Sequence, residues 1–151
     1  MSEINRIADQ LKRSLEGEAW HGPALRELLA GVDAKQAAAK PLAGAHSIWE
    51  IVLHIISDET LVRDRLEGTP RVLSPEEDWP PVADTSDEAW TRTLEMLRNA
   101  HEELQRLLLK VSDSSLDQPI VEGASSTYVT LHGIVQHNIY HAGQIALLKK
   151  G

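Results

Sequence analysis

The stretch that decides the fold is Leu131-His132-Gly133-Ile134-Val135-Gln136-His137-Asn138-Ile139-Tyr140-His141-Ala142-Gly143-Gln144-Ile145-Ala146-Leu147-Leu148. Its apolar residues recur at three- and four-residue intervals, the period of a helix that buries a stripe. Ile134, His137, His141, Gln144, Ile145 and Leu148 share that stripe. His137 and His141 are four residues apart, about 40° around the axis, so both imidazoles can reach one ion. The stripe is largely apolar, which turns the pair into a bundle rather than into water. Spacing alone is a weak motif, because seven histidines in 151 residues also produce such pairs on a surface by coincidence.

A third histidine adds weight. His54 lies in Ser47-Ile48-Trp49-Glu50-Ile51-Val52-Leu53-His54-Ile55-Ile56, where nearly every position after the first is apolar. Ser47 and Glu50 form a capping-box pattern, which accounts for Glu50 and leaves His54 as the unexplained polar group. A buried imidazole left without partners costs about 1–3 kcal/mol. Taken alone, His54 reads as a core histidine bonded to a carbonyl or carboxylate. Opposite a facing His-x-x-x-His pair it reads as a third ligand, one helix supplying two donors and another supplying one. Three neutral nitrogens suit zinc, nickel or ferrous iron better than magnesium or calcium. Three protein ligands leave a position open for water or substrate.

The other segments are helical too. Ile4, Ile7, Ala8, Leu11 and Leu15 set a first amphipathic helix from Glu3 to about Leu15, which Gly22-Pro23 follows. Ala24 to Ala30 and Ala34 to Lys40 read as short helical pieces. The helix capped by Ser47 runs to about Leu66 and stops at Gly68. Residues 68–85 carry four prolines and read as a long connection over the surface or across a pocket mouth. Thr85 with Glu88 suggests the cap of a helix to about Lys110, with Leu94, Leu97, Leu104, Leu107 and Leu108 as its spine. Ser112 to Ser126 reads as a polar loop. The last helix starts between Thr127 and Leu131, and Lys149 and Lys150 suit the negative end of its dipole. Four principal helices without period-two alternation predict an all-α, four-helix bundle in a single domain over residues 1–151.

Composition narrows the function. A net charge of −8 without a basic stripe disfavours nucleic acid as a partner. The absence of cysteine leaves His, Asp and Glu as ligands, and any thiol chemistry needs a thiol brought by a small molecule. No segment approaches the ~20 apolar residues that span a bilayer. Met1 to Trp20 mixes charge throughout, unlike a signal peptide, so a cytoplasmic location is expected.

Among the remaining histidines, His101 starts a His-Glu pair, but Gln105 breaks the His-Glu-x-x-His pattern, and a solvated position is expected. His132 reads as surface or interface, and His46 as a local packing or capping residue. His21, in Trp20-His21-Gly22-Pro23, is a candidate pocket residue. Acceptors behind the ligand imidazoles could come from Asp58, Asn138 or Gln144.

Leu131 to Ile145 resembles the signature of the DinB/YfiT-like superfamily of metalloenzymes, a His-x-x-x-His followed by Gly-Gln-Ile. His46 to His54 is similar to the region that supplies that family's first metal histidine. Trp20-His21-Gly22-Pro23 and the stretch from Asp78 to Trp90 are similar to its members as well. The resemblance implies a DinB-like bundle whose helix order brings the second and fourth helices together. It implies His54, His137 and His141 as metal ligands, a homodimer formed through helix faces, and no handling of DNA. Characterised relatives include transferases and isomerases that use bacillithiol, mycothiol or glutathione. The expected activity is therefore metal-dependent, with a thiol or water as nucleophile towards a small molecule: a thiol-dependent transferase or isomerase, or a hydrolase. Asp58 and His21 are the candidates for proton transfer. A non-catalytic module in which the ion braces the bundle is the alternative, and a metal-free bundle with polar core histidines is a third reading.

Overall fold

The computed structural model describes all 151 residues and forms no strand. Its long helices are α1 (Glu3–Glu16), α4 (Ile48–Leu66), α6 (Asp87–Leu108) and α7 (Thr127–Leu148). Three short helices lie between them: α2 (Leu25–Leu29), α3 (Ala34–Ala38) and α5 (Pro75–Asp78). α4 packs against α6 and α7, and α1 against α7, α6 and α2. The second and fourth long helices, α4 and α7, are thus neighbours, as the resemblance implies.

Local chemistry sets the helix ends. Ser47 Oγ accepts from the Glu50 N–H at 3.1 Å, and Glu50 Oε2 accepts from the Ser47 N–H at 2.7 Å, completing the capping box that starts α4. α4 stops before Gly68, whose φ of 91° suits a residue without Cβ. The cap of α6 is Ser86 rather than Thr85: Ser86 Oγ accepts from the Ala89 N–H, while Asp84 accepts from the Ser86 N–H and tightens the preceding turn. The connection at residues 68–85 is more ordered than its prolines suggest. Ser74 and Glu77 form a second capping box around Pro75, which sits at the one helical position where a missing N–H costs nothing. The polar loop after α6 contains a 3₁₀ turn at Asp113–Ser115. From there the Asp113 carboxylate accepts from the Glu3 and Ile4 N–H groups at 2.8 and 2.9 Å, satisfying two free donors at the start of α1.

The core falls into two apolar halves. One gathers Ile4, Ile7, Leu11, Val62, Leu104, Leu108, Leu131 and Ile134. The other gathers Leu15, Leu25, Trp49, Val52, Ile55, Trp90, Leu97, Ala142 and Ile145. With no Phe available, Trp49 and Trp90 provide its bulk, and both indole N–H groups are satisfied, by Thr93 Oγ1 and the Val32 carbonyl. Between the halves lies a buried polar layer, one side chain from each long helix: Ser14, Glu59, His101 and Asn138. Glu59 Oε1 accepts from Asn138 Nδ2 at 2.9 Å and faces His101 Nδ1 at 3.2 Å, and Asn138 Nδ2 also reaches Ser14 Oγ. His101 is therefore not a solvated residue. It is 1% exposed, held on the core side of α6 between Leu97 and Leu104.

Candidate metal centre

α4 and α7 bring His54, His137 and His141 to one point. His54 Nε2 lies 2.9 Å from His137 Nε2, which lies 3.1 Å from His141 Nε2. His54 and His141 are buried, while the His137 side chain is 24% exposed, so the cluster opens to solvent on one side. The three offer one ligand atom each within the span a single metal ion needs.

The groups behind the rings decide where their hydrogens sit. His54 Nδ1 faces the Asp78 carbonyl oxygen at 2.8 Å, and His141 Nδ1 faces Gln144 Oε1 at 2.6 Å. Both partners only accept, so each Nδ1 carries the hydrogen and donates it, and each neutral ring turns an Nε2 lone pair inward. Lone pairs converging at such separations repel unless a cation or a proton lies among them. Acceptors bonded to the far nitrogen are the usual support of a metal-bound histidine. His137 Nδ1 is buried without a partner. This donor set fits a divalent transition ion, with the side chains of α4 and α7 already turned for it.

Asp58, one turn beyond His54, sits on the inner side of the cluster rather than behind it. Its Oδ2 lies 2.8 Å from His137 Nε2 and 3.4 Å from His54 Nε2. Asp78 adds a carboxylate oxygen 3.2 Å from His54 Nδ1, and His54, Asp58 and Asp78 make a second, overlapping group able to hold a cation. Burial pushes the His141 imidazole down to about 4, helped by the neighbouring His137 and His54 and opposed by the Gln144 hydrogen bond. It is the neutral, ligating form that this pocket stores.

The closed side is made by Trp79, at the end of α5. Its indole stacks on His54 at 3.9 Å between ring centroids and on His46 at 3.7 Å. The connection at residues 68–85 therefore crosses the site, supplying both the lid over His54 and the Asp78 acceptor. The resemblance includes the stretch from Asp78 to Trp90, and the sequence places residues 68–85 over the surface or across a pocket mouth. The contacts of Asp78 and Trp79 with His54 have no signal in residue spacing, since they depend on a chain reversal 24 residues from His54.

Other expected residues lie elsewhere. His21 is exposed, its Nε2 3.2 Å from the Pro23 carbonyl in its own loop, so it does not reach the cluster. Of the expected acceptors, Gln144 stands behind His141, whereas Asn138 belongs to the buried polar layer. No helix is long and apolar enough to cross a membrane.

Comparison with known proteins agrees with this architecture. The profile of the DinB superfamily matches residues 19–145, a span that holds all three histidines and leaves α1 outside. No curated protein and no solved structure matches the chain. With a match over most of its length and the three histidines gathered between α4 and α7, the chain belongs to the DinB superfamily.

Proposed function

We propose that this chain is a metal-dependent enzyme that activates a thiol or water for attack on a small electrophile, as a thiol-dependent transferase or isomerase or as a hydrolase. The observation that carries this reading is the convergence of three Nε2 atoms beside the Asp58 carboxylate. His54, His137 and His141 would hold the ion, with zinc or nickel the best matches for three imidazoles and iron a further candidate. A divalent ion so held supplies a nucleophile at neutral pH by lowering the pKa of a thiol or water. Asp58 Oδ2 is placed to accept that proton, and Trp79 keeps water from the His54 side. His21 has no part in this scheme. The missing cysteine fits a thiol that arrives as co-substrate.

A bracing role draws on a different observation: the same donors tie α4 to α7. Turnover separates the two. Protein loaded with zinc or nickel is assayed with low-molecular-weight thiols against 1-chloro-2,4-dinitrobenzene, and without thiol against an activated ester. The enzyme reading expects a metal-dependent rate in one assay, reduced by Asp58→Asn about 10²-fold or more with metal content retained, the range for loss of a general base. Metal bound in full with no rate in either assay supports the brace.

The homodimer that the resemblance implies has a suitable face. α7 is apolar on nearly all sides, yet Val129, Tyr140 and Leu147 are 56%, 66% and 68% exposed on its outer surface. A helix apolar all round is ordinarily covered, and we assign this cover to the same face of a second copy.

A further inference from the structure

We propose that residues 72–83 form a lid that opens on its own and that an ion at the three histidines holds shut, with His54 as the link. This rests on the metal reading above and adds to it a control of access.

The lid is weakly seated. None of the residues from Gly68 to Thr85 is buried, although the segment crosses the site. Of its apolar side chains, Trp79 and Val82 pack against the core, and both are only partly buried. Arg71 pins one end, 2.9 Å from Asp64 and 3.0 Å from Glu77, and Asp84 lies 3.6 Å from Arg92 at the other. These pairs fix where the segment starts and ends and leave its middle to other contacts. Across residues 72–83 a single hydrogen bond reaches a long helix, from His54 Nδ1 to the Asp78 carbonyl at 2.8 Å. A segment with so few buried contacts opens locally, without unfolding of the whole.

What seats the middle is the ring of one proposed metal ligand. Trp79 lies between His54 and His46, its indole within 8° and 10° of parallel to them at centroid distances of 3.9 and 3.7 Å. The lid thus rests on the face of His54 and on its Nδ1. With Nε2 given to an ion, His54 keeps its hydrogen on Nδ1, where the Asp78 carbonyl accepts it, and the ring is fixed in that orientation. Without an ion the inner side no longer fixes the ring. It can turn, or carry its hydrogen inward towards Asp58 Oδ2, 3.4 Å from Nε2. A turn tilts the face on which Trp79 stacks, and a hydrogen moved to Nε2 leaves a lone pair against the Asp78 carbonyl. Both loosen the lid. Occupancy and closure are therefore coupled, and such a coupling acts equally in both directions.

α5 supplies the probe. The Asp78 and Trp79 N–H groups donate to the Ser74 and Pro75 carbonyls at 2.9 and 3.0 Å, and a helix of 4 residues does not persist once undocked. Hydrogen exchange at these amides reads lid opening. The full-length chain is measured without metal and with one equivalent of zinc, with amides at the centre of α6 as the reference for global unfolding. We expect the lid amides to exchange far faster than the reference in metal-free protein, and about tenfold or more slower with zinc bound, within the roughly 5–150-fold span of such couplings. Trp79→Ala should lose that slowing, and its zinc affinity should fall by the same factor. Trp79→Phe, which keeps a ring to stack, should retain both. His46→Ala, which reaches the cluster through Trp79, should have smaller effects of the same sign. Lid amides as slow as the reference without metal, or zinc bound in full with their exchange unchanged, would overturn the proposal. So would unchanged zinc affinity in Trp79→Ala. A wild-type chain that takes up no zinc would defeat the metal reading itself, and the lid with it.

Discussion

Asp58 Oδ2 lies 2.8 Å from His137 Nε2, and the next residues along the same two helices, Glu59 and Asn138, are joined at 2.9 Å. One pair of adjacent positions on α4 and α7 thus serves two environments. The first members face the half-open histidine cluster, and the second members face the sealed layer between the two apolar halves. Whatever fixes the polar layer also fixes the register in which α4 presents Asp58 to α7.

Support behind His141 should be measurable as affinity. Gln144→Leu removes the acceptor of the Nδ1 hydrogen and frees the ring to turn or change tautomer. Zinc affinity should fall about 10–100-fold, the usual effect of losing such a partner. Competition with a chromophoric chelator reads the constant, and an unchanged value would mean that Gln144 does not orient the ring.

Acid should weaken the metal-free protein through His141. Its folded pKa, about 4, lies below the value of about 6.5 for a free histidine. Between those limits the unfolded chain binds a proton that the folded one refuses, so stability falls as pH drops through 6.5 towards 4. Above pH 6.5 this contribution is fully present. The loss is at most about 3 kcal/mol, and less to the extent that water entering beside His137 eases the burial. Urea midpoints of metal-free protein at pH 7 and pH 5 check it, and equal midpoints would contradict the assignment.

The polar layer should respond asymmetrically. Glu59→Ala strips His101 and Asn138 of their shared acceptor inside the core and should cost about 1–3 kcal/mol for each group left unpaired. Replacing Glu59, His101 and Asn138 together by leucine removes every stranded group and should be near neutral, or stabilising by about 1–4 kcal/mol. Thermal or chemical unfolding of both variants compares the two, and similar large losses in both would mean that the layer contributes net stability.

Covering of α7 predicts a dimer in solution. Light scattering should give twice the chain mass, and Tyr140→Glu with Leu147→Glu should give the single chain with its helix content intact. A wild-type monomer at all concentrations would remove the second copy from the account.

Much of the architecture is legible in residue spacing. The Ser47–Glu50 box, Gly68 and the four helical periods place the bundle, and the stripe through His137 and His141, with His54 as the one unexplained polar group between Ser47 and Ile56, places the cluster. His101 departs from the solvated position expected from its broken His-Glu-x-x-His pattern, because it lies four residues after Leu97 and three before Leu104, on the spine itself. Glu59 is similar, one turn past Ile55 and three residues before Val62. Asp78 and Trp79 were beyond reach for another reason. Their contacts with His54 depend on how residues 68–85 fold back, which no periodicity encodes.

The central claim is that His54, His137 and His141 bind one transition ion. Elemental analysis of protein purified without added metal, and again after dialysis against zinc or nickel, tests it most directly. We predict one equivalent per chain in the wild type and a large loss in His137→Ala. Wild-type protein that carries no stoichiometric metal, and gains none on dialysis, would contradict the account.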